Sequence, residues 1–158
     1  MTSDLSARSR LVADRLSEAG IPGRIVTLPD AASTAALAAA ALGVEVGAIA
    51  NSLVFHSDGE PVLVMTSGAH RVDTAALANR LGRAPLVRAT PEQVRAATGQ
   101  AIGDVAPTGH PVQLTTIVDE ALAAFPELWA AGGTPHTVFP LTFDELVRLT
   151  GGAVHRVD

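Results

Sequence analysis

Two short apolar runs, Ser52-Leu53-Val54-Phe55-His56 and Pro61-Val62-Leu63-Val64-Met65-Thr66, flank the polar tetrad Ser57-Asp58-Gly59-Glu60. Asp-Gly between two strand-like runs is a strong turn signal, so the pattern predicts an antiparallel hairpin. The β-branched run Gln113-Leu114-Thr115-Thr116-Ile117-Val118 predicts a central strand. Shorter strands are expected at Arg24-Ile25-Val26-Thr27-Leu28, Leu86-Val87-Arg88, Phe125-Pro126-Glu127-Leu128-Trp129, Thr137-Val138-Phe139 and Ala153-Val154-His155-Arg156-Val157.

Helix starts and stops punctuate the rest. Residues 4–19 read as a helix that Ser3 caps and Gly20 ends, with Leu5, Val12 and Leu16 as a loose apolar stripe. Ser33 or Thr34 opens an alanine-rich helix closed by Gly43, and Asp73 caps another that runs to Leu81 before Gly82. Thr90-Pro91-Glu92-Gln93 carries a threonine cap, proline at the first helical position and glutamine three residues after the cap; the helix stops near Thr98-Gly99. Asp119 begins a short helical or turn segment to Ala124, and Thr142-Phe143-Asp144-Glu145 is a second capping box whose helix runs to Leu149. Hairpins mixed with single helices, without regular βαβ alternation, predict an α/β protein of the α+β type built on a mixed sheet. Residues 1–158 show no linker or internal repeat and are expected to form one domain.

Composition narrows the chemistry. The chain is 47% hydrophobic, much of it alanine, and only 3% aromatic, so a small-residue aliphatic core is expected. The longest apolar run, residues 35–42, falls well short of the roughly 20 residues a membrane helix needs. The N-terminus lacks the apolar segment of a signal peptide, so a cytoplasmic location without a membrane partner is expected. With no cysteine there is no disulfide, thiolate metal site or cysteine nucleophile. The net charge of −5 argues against broad phosphate contact, and no DNA partner is expected. Arg71, Arg80, Arg83, Arg88 and Arg95 are either a local basic lip or ordinary solvated helix faces. Few aromatics leave no evident interface anchor, and a monomer is the default expectation.

Several site types lack their motifs: the phosphate loop, the dinucleotide fingerprint and the serine nucleophile elbow. His56, His70, His110, His136 and His155 are scattered singly, so no metal or other cofactor is expected. What remains is small polar groups at element ends. Asn51 and Ser52 sit just before the first hairpin strand, Asp119 follows the central strand, and Gly132, Gly133 and His136 lie at the later turn. Between Thr98-Gly99 and His110 the loop Gly103-Asp104-Val105-Ala106-Pro107-Thr108-Gly109 has the glycines and proline of a shaped segment able to present amides. Amides, hydroxyls and a bound water suit electrostatic stabilisation of a carbonyl oxygen. Each residue also has a plainer reading: Asn51 as a turn cap, Ser52 as a strand residue, Asp119 as a helix cap, His136 as a solvated turn histidine and Gly133 as a turn former.

The order of these pieces resembles the YbaK/EbsC family, whose fold is shared with the editing domain of bacterial prolyl-tRNA synthetases. The matching residues are Leu42-Gly43-Val44, Ile49-Ala50-Asn51-Ser52-Leu53-Val54-Phe55, Pro61-Val62-Leu63-Val64, Arg71-Val72-Asp73, Leu81-Gly82 and Thr98-Gly99. Gly103-Asp104-Val105-Ala106-Pro107-Thr108-Gly109, Thr116-Ile117-Val118-Asp119 and Gly132-Gly133 complete the set, which covers nearly the whole chain from about residue 20. The resemblance implies one domain with a curved mixed sheet surrounded by helices and a crevice between them. It implies metal-free hydrolysis of mischarged aminoacyl-tRNA, with tRNA(Pro) carrying a small amino acid such as alanine as the first expectation, and a prolyl-tRNA synthetase as a candidate partner. By the same resemblance Asn51 and Gly103 take catalytic positions, while Ser52, Asp104, Val105, Ala106, Pro107, Asp119, Gly133 and His136 contact substrate.

Two positions depart from the family pattern. Asn51 stands where a lysine is usual, and Asp104 where a second glycine is frequent. Asn51 keeps hydrogen-bonding capacity without charge. A deacylase is therefore one reading. A binding module that kept the fold and lost the chemistry, holding an aminoacyl group, a nucleotide or a small metabolite, is the second. A structural or regulatory partner of a synthetase is the third.

Overall fold

The computed structural model describes residues 7–22, 24–29, 34–134 and 136–158. Among these, eight strands form one sheet: β1 (Val26–Thr27), β2 (Ile49–Ser57), β3 (Glu60–Ser67), β4 (Val87–Arg88), β5 (Thr115–Asp119), β6 (Leu128–Ala131), β7 (Thr137–Leu141) and β8 (Ala153–His155). The helices are α1 (Ala7–Glu18), α2 (Ala35–Leu42), α3 (Thr74–Leu81), α4 (Pro91–Thr98) and α5 (Phe143–Thr150).

The expected hairpin is the centre of the sheet. β2 and β3 pair antiparallel from Ala50↔Ser67 to Ser57↔Glu60. Asp58 (φ 53°) and Gly59 (φ 80°) both take the left-handed conformation that a two-residue hairpin turn requires. The path through the sheet is β1-β7-β6-β2-β3-β5-β8, with β4 attached to β2. The β2/β6, β3/β5 and β5/β8 pairs are parallel and the others antiparallel, giving the mixed α/β architecture expected from the sequence.

Both faces of the hairpin are covered. Leu63 and Met65 pack with Leu16, Phe139 and Leu146 on one face. Val62 and Val64 pack with Phe55, Leu77, Ile117 and Val157 on the other. Double burial explains why these strands read as unbroken apolar runs.

Helix ends follow their sequence signals. Thr34, not Ser33, caps α2, its hydroxyl accepting from the Leu37 N–H; Ser33 lies outside the described residues. Asp73 caps α3, and both capping boxes, Thr90 with Gln93 and Thr142 with Glu145, are closed. The expected first helix is described from Ala7 to Glu18, so Ser3 and Leu5 lie outside the described residues.

Several strands differ from expectation. β5 is not central: it lies one strand from the β8 edge, and it starts only at Thr115. Strand β6 begins at Leu128, because Phe125 ends a 3-10 turn (Glu120–Ala124) and Pro126 has no N–H to offer a ladder. The first and last strands shrink to the residues that have partners, Val26–Thr27 and Ala153–His155.

Candidate functional site

A gap opens beside the hairpin. β6 pairs with β2 only at Ile49↔Trp129 and Ala50↔Ala130, and β4 pairs with it only at Phe55↔Arg88 and His56↔Val87. On this edge the intervening residues of β2 have no strand partner among the described residues. The Ile49 carbonyl accepts from Gly68 on the β3 side (2.8 Å), whereas the Val54 carbonyl accepts from Ala89 on the β4 side (3.1 Å). Main-chain groups alternate along a strand, so Ser52, in phase with Val54, turns its N–H and C=O into the gap. A cavity of about 280 Å³ occupies this place.

Asn51 is inside β2, opposite Thr66, and not ahead of the strand. Its side chain lines the cavity and makes no hydrogen bond to another described residue, so the turn-cap reading does not hold. Ser52 lines the same cavity, but its hydroxyl donates to Met65 Sδ (3.2 Å). What Ser52 offers the cavity is therefore its main chain.

The loop after α4 forms the facing wall, with Gly103, Asp104 and Val105 lining the cavity. Gly103 has φ +89°, a conformation open to glycine, and a Cβ built there would meet nothing within 4 Å. Torsion rather than crowding thus demands glycine, and open space lies before its main chain. The Asp104 N–H donates to the Ala101 carbonyl (3.0 Å) and the Ala106 N–H to Gln100 Oε1 (2.6 Å). The N–H groups of Gly103 and Val105 make no hydrogen bond among the described residues.

Gln100 holds this loop and was not legible as a site residue. Its side chain is 1% exposed, accepts from Ala106 and donates to the Thr108 carbonyl (3.1 Å), spanning the loop from inside. The Thr98 hydroxyl fixes Gln100 in turn, accepting from its N–H (3.0 Å) and donating to the Val94 carbonyl (2.7 Å). A lone glutamine after Thr-Gly carries no signal that separates it from a solvated one.

His136, from the β6–β7 turn, completes the cavity wall. It is a non-glycine residue at φ +63°, a conformation that costs about 1 kcal/mol or more and persists only where surroundings enforce it. Its carbonyl accepts from Leu28 N–H (2.6 Å), tying the segment after β1 to this turn. Apolar and small residues, among them Ile49, Leu53, Ala130 and Val138, supply most of the remaining lining. Trp129, the sole tryptophan, also lines the cavity, and its indole Nε1 is a buried donor without a partner. The expectation of a plain strand residue missed it.

Asp104 is the single carboxylate among the described lining residues. Partial burial holds its pKa above the usual carboxylate value, against the opposing pull of His136 and Arg8. Asp104 is one of the lining residues, so this departure from the family pattern belongs to the site itself.

Four expected site residues lie elsewhere. Ala106 is fully buried, its N–H bonded to Gln100 and its carbonyl to His110 Nε2 (2.8 Å). Pro107 lines a separate hollow with Thr108, His110 and Leu114. Gly133 packs under α1: a Cβ there would lie 3.1 Å from Val12 and 3.4 Å from Arg8. Asp119 is fully buried away from the cavity. Its Oδ2 accepts from Ser67 N–H (3.0 Å) and pairs with His70 Nδ1 (3.0 Å), while Oδ1 caps Ala121 (3.0 Å). Asp119 clamps the ends of β3 and β5, more than a helix cap and not a cavity residue.

The five arginines form no lip on this cavity. Arg80 donates to the carbonyls of Arg156 (2.8 Å) and Asp158 (3.1 Å), Arg83 pairs with Glu60 (3.6 Å), and Arg88 lies over the Phe55 ring. Among the described residues no group of three or more His, Asp or Glu is placed to hold a metal ion, and no helix is long and apolar enough to cross a membrane.

Comparison with known proteins agrees with this architecture. The chain is 37% identical over 101 residues to a proline–tRNA ligase of Nitratidesulfovibrio vulgaris, a stretch covering 64% of this chain and 16% of the ligase. It is 36% identical over 73 residues to that of Geobacillus kaustophilus, covering 46% of this chain and 13% of the ligase. The chain thus spans only a small part of the ligases it matches. A crystal structure assigned provisionally as a trans-editing enzyme for prolyl tRNA synthetase superposes with a TM-score of 0.92 at 43% identity, over 98% of this chain and 99% of that one. The family model for the aminoacyl-tRNA editing domain matches residues 29–149, from just after Leu28 to the penultimate residue of α5, and so includes every described lining residue of the cavity except Leu28. The chain belongs to the aminoacyl-tRNA editing domain family.

Proposed function

We propose that the protein is a deacylase that hydrolyses the ester of a mischarged aminoacyl-tRNA, with tRNA(Pro) carrying a small amino acid such as alanine as the substrate. The observation that carries this reading is a set of unpaired main-chain groups on residues of one cavity: Gly103 and Val105 line it with N–H groups that make no hydrogen bond among the described residues, opposite the gap into which Ser52 turns its own N–H and C=O. Fixed N–H dipoles polarise an ester carbonyl and stabilise the oxyanion that follows, and they need no reorganisation during the reaction. Asn51 donates its side-chain amide to the same carbonyl or orients the attacking water.

The chemistry balances without a metal or covalent enzyme intermediate. A water oxygen adds to the ester carbonyl carbon, the bond from that carbon to the ribose oxygen breaks, and a proton from the water passes to the departing ribose oxygen, which leaves as the hydroxyl. Free amino acid and intact tRNA result. Holding water and ester in this geometry supplies much of the rate, so a strong base is not required. The cavity of about 280 Å³ and its alanine-rich wall suit a small side chain. Discrimination between side chains that differ by one methylene amounts to only about 1–3 kcal/mol in such a pocket.

Single-turnover hydrolysis of a panel of aminoacyl-tRNAs tests the reading. Release of alanine from alanyl-tRNA(Pro) above the spontaneous rate is expected, with prolyl-tRNA(Pro) spared. No release from any member overturns the deacylase. Activity that then appears on Asn51→Lys would mark the natural protein as a binding module.

A further inference from the structure

Resting on the deacylase reading, we propose that Asp104 receives the α-ammonium group of the aminoacyl ester, making this cavity selective for an acyl group with a free amine. Among its described lining residues the cavity has one carboxylate and no lysine or arginine, with His136 as the other titratable group. Among the described residues no ion pair or side-chain hydrogen bond holds the Asp104 carboxylate, although the charges of His136 and Arg8 favour its ionised form. Its own N–H is fixed to the Ala101 carbonyl (3.0 Å), so the turn that presents the side chain is set before any ligand arrives.

An unpaired, half-buried carboxylate in a wall of small apolar groups is an incomplete ion pair. Its natural complement is a compact cation that enters with the ligand. The carboxylate also disfavours alternatives: an anionic group, such as a phosphate, is repelled here, and a neutral hydroxyl in place of the amine can donate a hydrogen bond but brings no charge to offset the carboxylate. In an aminoacyl ester the ammonium sits on the carbon next to the carbonyl. Asp104 and the N–H groups of Gly103 and Val105 belong to one turn, so they would fix the ammonium and the carbonyl oxygen together. Asp104 is then a specificity residue that orients the ester through its neighbouring group.

The test uses two amide-linked analogues that resist hydrolysis, 3′-deoxy-3′-(L-alanylamido)adenosine and its counterpart with an α-hydroxyl in place of the amine. Their binding is measured by calorimetry at pH 7. The natural protein is expected to bind the amine analogue about tenfold tighter, a difference of about 1.4 kcal/mol. The isosteric Asp104→Asn variant should bind both alike, with an unfolding midpoint no lower than that of the natural protein. Preference kept by Asp104→Asn, equal binding by the natural protein, or binding of neither analogue overturns the proposal. The two readings fail separately. An amine preference without ester hydrolysis removes the deacylase and keeps the subsite, and hydrolysis without the preference removes the subsite alone.

Discussion

Asn51 shows how a single residue gains meaning from its place in a strand. Its side chain has no partner among the described residues, so replacing it disturbs no bond that holds the fold. Asn51→Ala is expected to lower kcat/KM for the mischarged tRNA roughly hundred- to thousandfold, the scale on which single oxyanion donors act. Stability should move by less than about 0.5 kcal/mol, measured by urea unfolding. Asp119 is the opposite case. Its position after a β-branched strand suggested a cap or a substrate contact, and the sequence was right about the cap at Ala121. The other bonds, to Ser67 and His70, come from residues about 50 positions away, so local spacing could not show them. His136 was named from its turn, and its left-handed backbone is a property that only the folded neighbourhood imposes.

At the scale of elements, the loop after α4 works as a preformed piece because Gln100 bridges it from within. Gln100→Leu keeps the volume but leaves the buried Ala106 N–H and Thr108 carbonyl without their partner. A loss of about 1–3 kcal/mol in unfolding free energy is expected, the cost of a buried polar group left unpaired. In the same variant KM should rise as Gly103 and Val105 lose their fixed placement, read by steady-state deacylation. The helices and the hairpin were legible because their signals are local: caps, a proline at the first helical position, an Asp-Gly turn. The short strands were overextended in prediction, because a strand ends where its partner ends. Nothing within residues 125–127 says that no neighbour waits for them.

For the whole molecule, acid stability should depend on His110. Burial lowers its pKa below the ordinary 6.5, against the opposing effect of its bond to the Ala106 carbonyl. In the unfolded chain the imidazole protonates near 6.5, whereas in the folded protein it resists the proton. Its contribution is therefore fully present above that value and is lost as pH falls from there towards the folded pKa. Unfolding free energies measured from pH 7.5 to 5 should decline in this window, and His110→Asn should flatten that part of the curve. Asp104, whose pKa is raised, acts in the opposite sense at lower pH, where folding favours its protonated form.

The sequence by itself determined the hairpin, the helix boundaries, the largely aliphatic core and, through the order of its weak motifs, the family. These depend on neighbours in the chain or on the sum of composition. Tertiary structure alone decided that β6 and β4 pair with the two ends of β2 and leave its middle open. That gap is what gives Ser52 a main-chain role, puts Asn51 and Asp104 on one cavity, and takes Ala106, Pro107, Gly133 and Asp119 away from it. The reason is physical: a hydrogen-bonding group becomes a binding group only where the sheet fails to pair it, and pairing is settled by strands far apart in sequence.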